Sequence, residues 1–163
     1  RDTDRSRGLG DVYKRQTNVS AIDSGRIAKT YAHAVKPYFA DYMGLVFEQM
    51  CKEYLLYYAK DLPIELNELG QWWGTDPIQK KQIQIDIVGT PVEGRSYLIG
   101  SCKYRNEKIG MDELELLRNY ATAFGKGDRY HYYIFSKGGF TDGLLDAQAC
   151  GEVTLVTLDE MYR

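Results

Sequence analysis

Residues 82–89, Gln-Ile-Gln-Ile-Asp-Ile-Val-Gly, decide how this chain is read. Ile83, Ile85 and Ile87 alternate with Gln84 and Asp86, and a period of two belongs to a half-buried β-strand. The alternation predicts that the three isoleucines face a core while Gln84 and Asp86 face the other way. Asp86 is then either a strand acid paired with a nearby Lys or Arg, or a group that carries chemistry. A turn at Glu93-Gly94 follows, and residues 96–104 (SYLIGSCKY) read as the next strand. There Tyr97, Ile99, Ser101 and Lys103 share one face, and Cys102 faces the opposite side as a packing residue. A hairpin of the two strands brings the Asp86 and Lys103 faces side by side.

Upstream, residues 41–60 (DYMGLVFEQMCKEYLLYYAK) predict a helix with Phe47, Cys51, Tyr54 and Tyr58 on one stripe, closed by Pro63. Glu48 sits on this helix. A strand is predicted around Gln71-Trp72-Trp73, before a turn at Thr75-Asp76-Pro77. Downstream, residues 111–125 predict a helix with Leu114, Leu117, Ala121 and Phe124 on one stripe and Gly125 as its stop. Residues 129–136 predict an aromatic strand, and Thr141 is a plausible N-cap for a helix over 140–150. Residues 152–158 predict a last strand, and Leu158 to Arg163 the start of a helix. The order helix, strand, strand, strand, helix, strand, helix, strand predicts one α/β domain: a mixed sheet flanked by helices on both faces.

Composition agrees. The 163 residues, 44% hydrophobic and 27% charged, suffice for one domain with a sizeable core. No apolar run approaches the ~18 residues of a membrane span. Cys51, Cys102 and Cys150 are odd in number and form no C-x-x-C pair, so neither a disulfide framework nor a zinc site is indicated, and a reduced, cytoplasmic setting is expected. Residues 1–16 carry five basic and three acidic residues, while the rest carries 16 basic and 20 acidic. An acidic body argues against extensive nonspecific DNA binding by this piece alone. His33 and His131 are lone histidines without metal-ligand spacing, and His131 reads as a core or edge residue. No phosphate-binding loop of the Walker type is present, so ATP binding by this chain is not expected.

Residues 1–16 have no apolar periodicity, and GLGDVYKRQ resembles translated sequencing-adapter read-through. They are read as a non-native or disordered end. Residues 17–37 read as a linker remnant, and residues 38–163 as the domain.

The order Glu on a helix, Asp on a strand and x-x-Lys on the next resembles the PD-(D/E)XK nuclease superfamily, with its restriction-endonuclease-like αβββαβ core. More narrowly, FEQMCKEYL, GQWWGTD, QIDIV, IGSCKY and YIFSKGGFTDGL resemble an uncharacterised domain at the C-terminus of archaeal-type AAA ATPases, which also occur in bacteria. That resemblance spans about residues 38–160. It implies an upstream winged helix and ATPase domain as partners, and this chain as a C-terminal fragment. It also implies DNA as the substrate class and Mg²⁺ or Mn²⁺ as cofactor, because hard oxygen ligands suit these ions. Asp86 would be the central metal ligand, Glu48 the helix-borne acid and second ligand, and Lys103 the catalytic lysine that stabilises charge on the phosphate.

The chain departs from that pattern at Ser101, which stands where the motif has Glu. A neutral hydroxyl is a poor Mg²⁺ ligand, and Gln84 also replaces an acid. Glu93, Glu107 and Asp112 are the acids named as substitutes. Three functions therefore stay open: a metal-dependent phosphodiesterase, a catalytically inactive DNA-binding or regulatory module of the ATPase, and an oligomerisation domain. Trp72-Trp73 read as packing, with base stacking as the rival role. Lys80-Lys81 read as a solvated turn, with phosphate contact as the rival. Lys103, Arg105 and Lys108 form a candidate basic patch.

Overall fold

The computed structural model describes residues 36–162. The expectations for residues 1–35, including the foreign end and His33, lie outside the described residues. The chain divides into two compact units, residues 1–45 and 46–163. The sheet and the site belong to the second.

Helix α1 (Lys36–Glu53) opens earlier than the periodicity indicates. Phe47, Cys51 and Leu55 recur every four residues and are all fully buried, the stripe that seats the helix. The chain continues through a π-helical turn over Tyr54–Tyr58, where the Ala59 amide donates to the Tyr54 carbonyl at 2.7 Å. Then follow β1 (Leu66–Thr75), β2 (Gln82–Pro91), β3 (Ser96–Lys103), α2 (Met111–Phe124), β4 (Arg129–Ser136), α3 (Asp142–Ala149), β5 (Thr154–Thr157) and α4 (Leu158–Met161). Strand β1 is ten residues long, well beyond the stretch around Gln71–Trp73. The β1–β2 turn is held by Asp76, whose carboxylate accepts from the Ile78 and Gln79 amides at 2.8 and 3.1 Å. Among the described residues no helix is long and apolar enough to cross a membrane.

The five strands lie in the order β1-β2-β3-β4-β5. The first three pair antiparallel and the last three parallel, so the sheet is mixed. Parallel neighbours require a crossover, which α2 and α3 provide. Both faces are covered, so adjacent residues of the central strands are buried on opposite sides. Leu98, Phe135 and Val156 pack under α1, while Ile99, Ile134 and Leu155 pack under α2 and α3. Leu158 and Met161 of α4 join the α1 side.

One strand departs from the alternation read in its sequence. Ile83 and Ile85 enter the core under α2, but Ile87 enters the core under α1. The register explains this. Gly70 faces Val88 and Trp72 faces Ile85, so Gln71 alone opposes both Asp86 and Ile87. An extra residue in one strand of an antiparallel pair is a β-bulge, and it re-aims the side chains that follow. The expectation that Ile83, Ile85 and Ile87 share a face is therefore corrected. The bulge falls on Asp86.

Candidate functional site

Asp86 stands where two strands part. The β2–β3 ladder runs from Gly89↔Leu98 to Ile87↔Gly100 and ends there. Past that point the Cys102 amide donates to Asp86 Oδ2 at 3.0 Å, so a carboxylate takes the place of a ladder carbonyl. This bond fixes Asp86 against β3, between the side chains of Ser101 and Lys103. Those two face α2, as their shared strand face predicts. Cys102 faces α1, where its thiol shares a hydrogen bond with the buried Cys51. That bond and burial push the Cys102 thiol well above its ordinary range, which removes it as a nucleophile.

The acid that meets Ser101 is Glu113. Its Oε2 accepts from Ser101 Oγ at 3.0 Å, and its Oε1 lies 3.6 Å from Lys103 Nζ. Glu113 is 8% exposed, unusual for an acid and possible here because both oxygens have partners. It lies in the first turn of α2, with Asp112, where the helix dipole favours negative charge. The loop before α2 fixes the position of that turn. The Ile109 amide donates to the Gly139 carbonyl, and the Thr141 amide to the Ile109 carbonyl, both at 3.0 Å. Gly138 lets the two loops touch: a Cβ there would strike the backbone of Asn106 and Glu107.

Asp86, Ser101, Lys103, Glu113 and Gln84 line a cleft of about 90 Å³, with Tyr120 on its wall. Burial raises the Asp86 carboxyl above its ordinary value. The Cys102 amide and Lys103 oppose that rise, and the Glu113 charge adds to it. Glu48 reaches the same region from α1. Its Oε2 accepts from Gln71 Nε2 at 3.2 Å, the residue opposite the bulge. Burial raises its carboxyl too, followed by the charge of Asp86, with Lys52 and Gln71 opposing. The Tyr120 hydroxyl is raised by burial and then by Glu113 and Asp86. These groups resist further negative charge, and a cation would relieve all of them.

The structure thus brings Asp86, Ser101 and Lys103 together and sets Glu48 within electrostatic reach of Asp86. The acids named as substitutes, Glu93, Glu107 and Asp112, are exposed, and the acid beside Ser101 is Glu113. Its place was readable: Glu113 precedes Leu117, Ala121 and Phe124 by four, eight and eleven residues, on the buried face of the helix. Trp72 packs edge-on against Phe124 at 5.4 Å between ring centroids, while Trp73 is 59% exposed. Lys103 turns inward to Glu113, whereas Arg105 and Lys108 are exposed in the following loop. Lys80 and Lys81 lie exposed at the β1–β2 turn. His131 is half-buried on β4, and burial, then Arg129, lowers its imidazole.

Among the described residues no group of three or more His, Cys, Asp or Glu side chains is arranged to hold a metal ion. Two carboxylates, Asp86 and Glu113, do face one cleft. Mg²⁺ fits that donor set, because it keeps several waters and takes one or two carboxylates.

No curated protein matches this chain. The crystal structure of a protein of unknown function, AF1548, aligns with a TM-score of 0.43 at 13% sequence identity. That alignment covers 68% of this chain and 56% of AF1548, so the chain spans little more than half the length of that protein. A family model described as archaea bacterial proteins of unknown function, DUF234, matches residues 13–115, more than half of the chain. The chain therefore belongs to the DUF234 family.

Proposed function

We propose that this domain is a metal-dependent phosphodiesterase acting on DNA, carried at the C-terminus of an AAA-type ATPase. The observation that carries the activity is Glu113, which places a buried carboxylate against Ser101 and opposite Asp86. The acid missing from β3 is supplied by α2. The link to an ATPase and the DNA substrate rest on the sequence resemblance alone.

Asp86 and Glu113 would hold Mg²⁺ or Mn²⁺, with Glu48 on the α1 side. Such an ion, when bound, neutralises phosphate charge and acidifies water. The chain's own residues do the rest. The Cys102 amide keeps Asp86 oriented, and Ser101 orients Glu113. Lys103 Nζ, now 3.6 Å from Glu113, is the ammonium in the cleft that can donate to a phosphate oxygen as negative charge builds there. Water attack on phosphorus breaks one P–O ester bond, and the leaving oxygen takes up a proton from solvent.

A second reading, an inactive DNA-binding or regulatory module, is favoured by one fact: Lys103 is engaged by Glu113 and no three-acid group stands assembled. One assay separates the two. Purified protein is incubated with Mn²⁺ and single- or double-stranded DNA, beside Asp86→Asn, Glu113→Gln and Lys103→Ala. Cleavage by the parent chain that all three substitutions abolish supports the phosphodiesterase. DNA binding without cleavage supports the module, and neither binding nor cleavage defeats both.

A further inference from the structure

The cation that a phosphate strand would meet first is not the motif lysine. Lys103 is drawn toward Glu113, 3.6 Å away, and its side chain is 30% exposed. Lys52 differs. It lies on α1 one turn after Glu48, at the i, i+4 spacing that puts two side chains on the same helix surface. It directly follows Cys51, whose thiol bonds Cys102 of β3, so this turn of α1 packs over the strand that carries Ser101 and Lys103. Lys52 is half-buried, and no carboxylate lies within ion-pair distance of it. Its charge nevertheless acts on both Glu48 and Asp86. An ammonium near two acids, yet in contact with neither, has donors left for an incoming anion.

We propose that Lys52 is the principal phosphate-binding residue of this site, holding the substrate's backbone on the α1 bank of the cleft while Lys103 remains with Glu113. The assignment rests on the phosphodiester reading and adds the residue that sets substrate affinity. A lysine suits this role as a compact point charge, needing no fixed fork geometry. It also predicts an asymmetry: Lys52 governs binding, and Lys103 governs turnover.

The test is binding of a fluorescently labelled DNA oligonucleotide by anisotropy, without divalent ions, over a series of salt concentrations. The parent protein is compared with Lys52→Ala, Lys52→Arg, Lys103→Ala and the exposed control Lys60→Ala, each checked by thermal melting. Lys52→Ala is expected to weaken binding by roughly tenfold, the scale of one charge-assisted contact. It should also reduce the slope of log affinity against log salt by about one. Lys52→Arg should restore both, and Lys60→Ala should change neither. Parent-like affinity and slope in Lys52→Ala, with DNA still bound, overturn the Lys52 assignment alone. A loss in Lys103→Ala equal to that in Lys52→Ala also overturns it. A parent chain that binds no oligonucleotide overturns the phosphodiester reading, and the assignment falls with it.

Discussion

The Ser101 hydroxyl donates to Glu113 Oε2 across 3.0 Å, joining the strand position that lacks an acid to the helix position that has one. Both residues are buried, so the bond is made away from bulk water. Removing either partner leaves the other with an unmet polar group, at a cost of about 1–3 kcal/mol. Glu113→Ala is expected at the upper end of that range, because it also frees Lys103. Ser101→Ala is expected near the lower end. Chemical denaturation of the two single variants and the double should show coupling of about 0.5–3 kcal/mol. Strict additivity would show that the bond contributes nothing.

Asp86 predicts a pH dependence of stability. Its folded-state carboxyl lies above the ordinary value of 3.8, chiefly through burial. Below 3.8 the group is protonated whether the chain is folded or not. As pH rises past 3.8 the unfolded chain gives up the proton first, and stability is lost until the raised folded-state value is passed. Asp86→Asn keeps an acceptor for the Cys102 amide and removes the charge. It is expected to melt above the parent at pH 7 and with it below pH 3.8. A lower melting temperature at pH 7 would contradict the burial argument.

Divalent ions should reverse that penalty. An ion that binds only the folded chain stabilises it by about 2.7 kcal/mol at one hundred times its dissociation constant. Mn²⁺ is expected to raise the melting temperature of the parent chain, and to raise it little in Asp86→Asn or Glu113→Gln. Equal shifts in all three proteins would place the ion elsewhere.

Gly138 offers a test at a distance from the cleft. An alanine methyl there meets the backbone of Asn106 and Glu107, which cannot move aside as a side chain tip can. Gly138→Ala is expected to cost about 1–3 kcal/mol, the scale of overpacking. It should also blunt the Mn²⁺ shift, because the same loop sets the first turn of α2 and hence Glu113. Gly94 has open space around its Cβ position but a positive φ of 79°, so Gly94→Ala separates backbone strain from collision.

Much of the fold was legible because its signals are local. The stripe Phe47-Cys51, the strand 129–136 and the helix 111–124 each declare themselves within a few residues. The reach of β1 was not legible: its residues 66–70 include exposed polar groups and form a strand because β2 offers a ladder partner. The bulge was hidden for a related reason. Isoleucine at 83, 85 and 87 looks the same whether or not the strand skips a step, and only the pairing with Gln71 reveals the skip. The candidate site was half legible. Asp86 and Lys103 followed from strand spacing, and Ser101 was recognised as the weak position. Glu113 was passed over for its neighbour Asp112, although helical spacing puts Glu113 on the buried face and leaves Asp112 outside. Acids are rarely buried, and that habit of composition outweighed the periodicity.

The doubled step in β2 also decides which changes in the gene this protein tolerates. Loss of one codon between 85 and 88 would restore even pleating, and with it turn the rest of β2 over. Val88 would then trade faces with its neighbours, and both cores would lose their fit at once. Loss of two codons would shorten the strand yet keep its odd step. Ordinary strands behave the other way round, since a one-residue slip is what inverts them. Insertions and deletions here are filtered by parity, and the carboxylate at the step is inherited together with the kink that aims it.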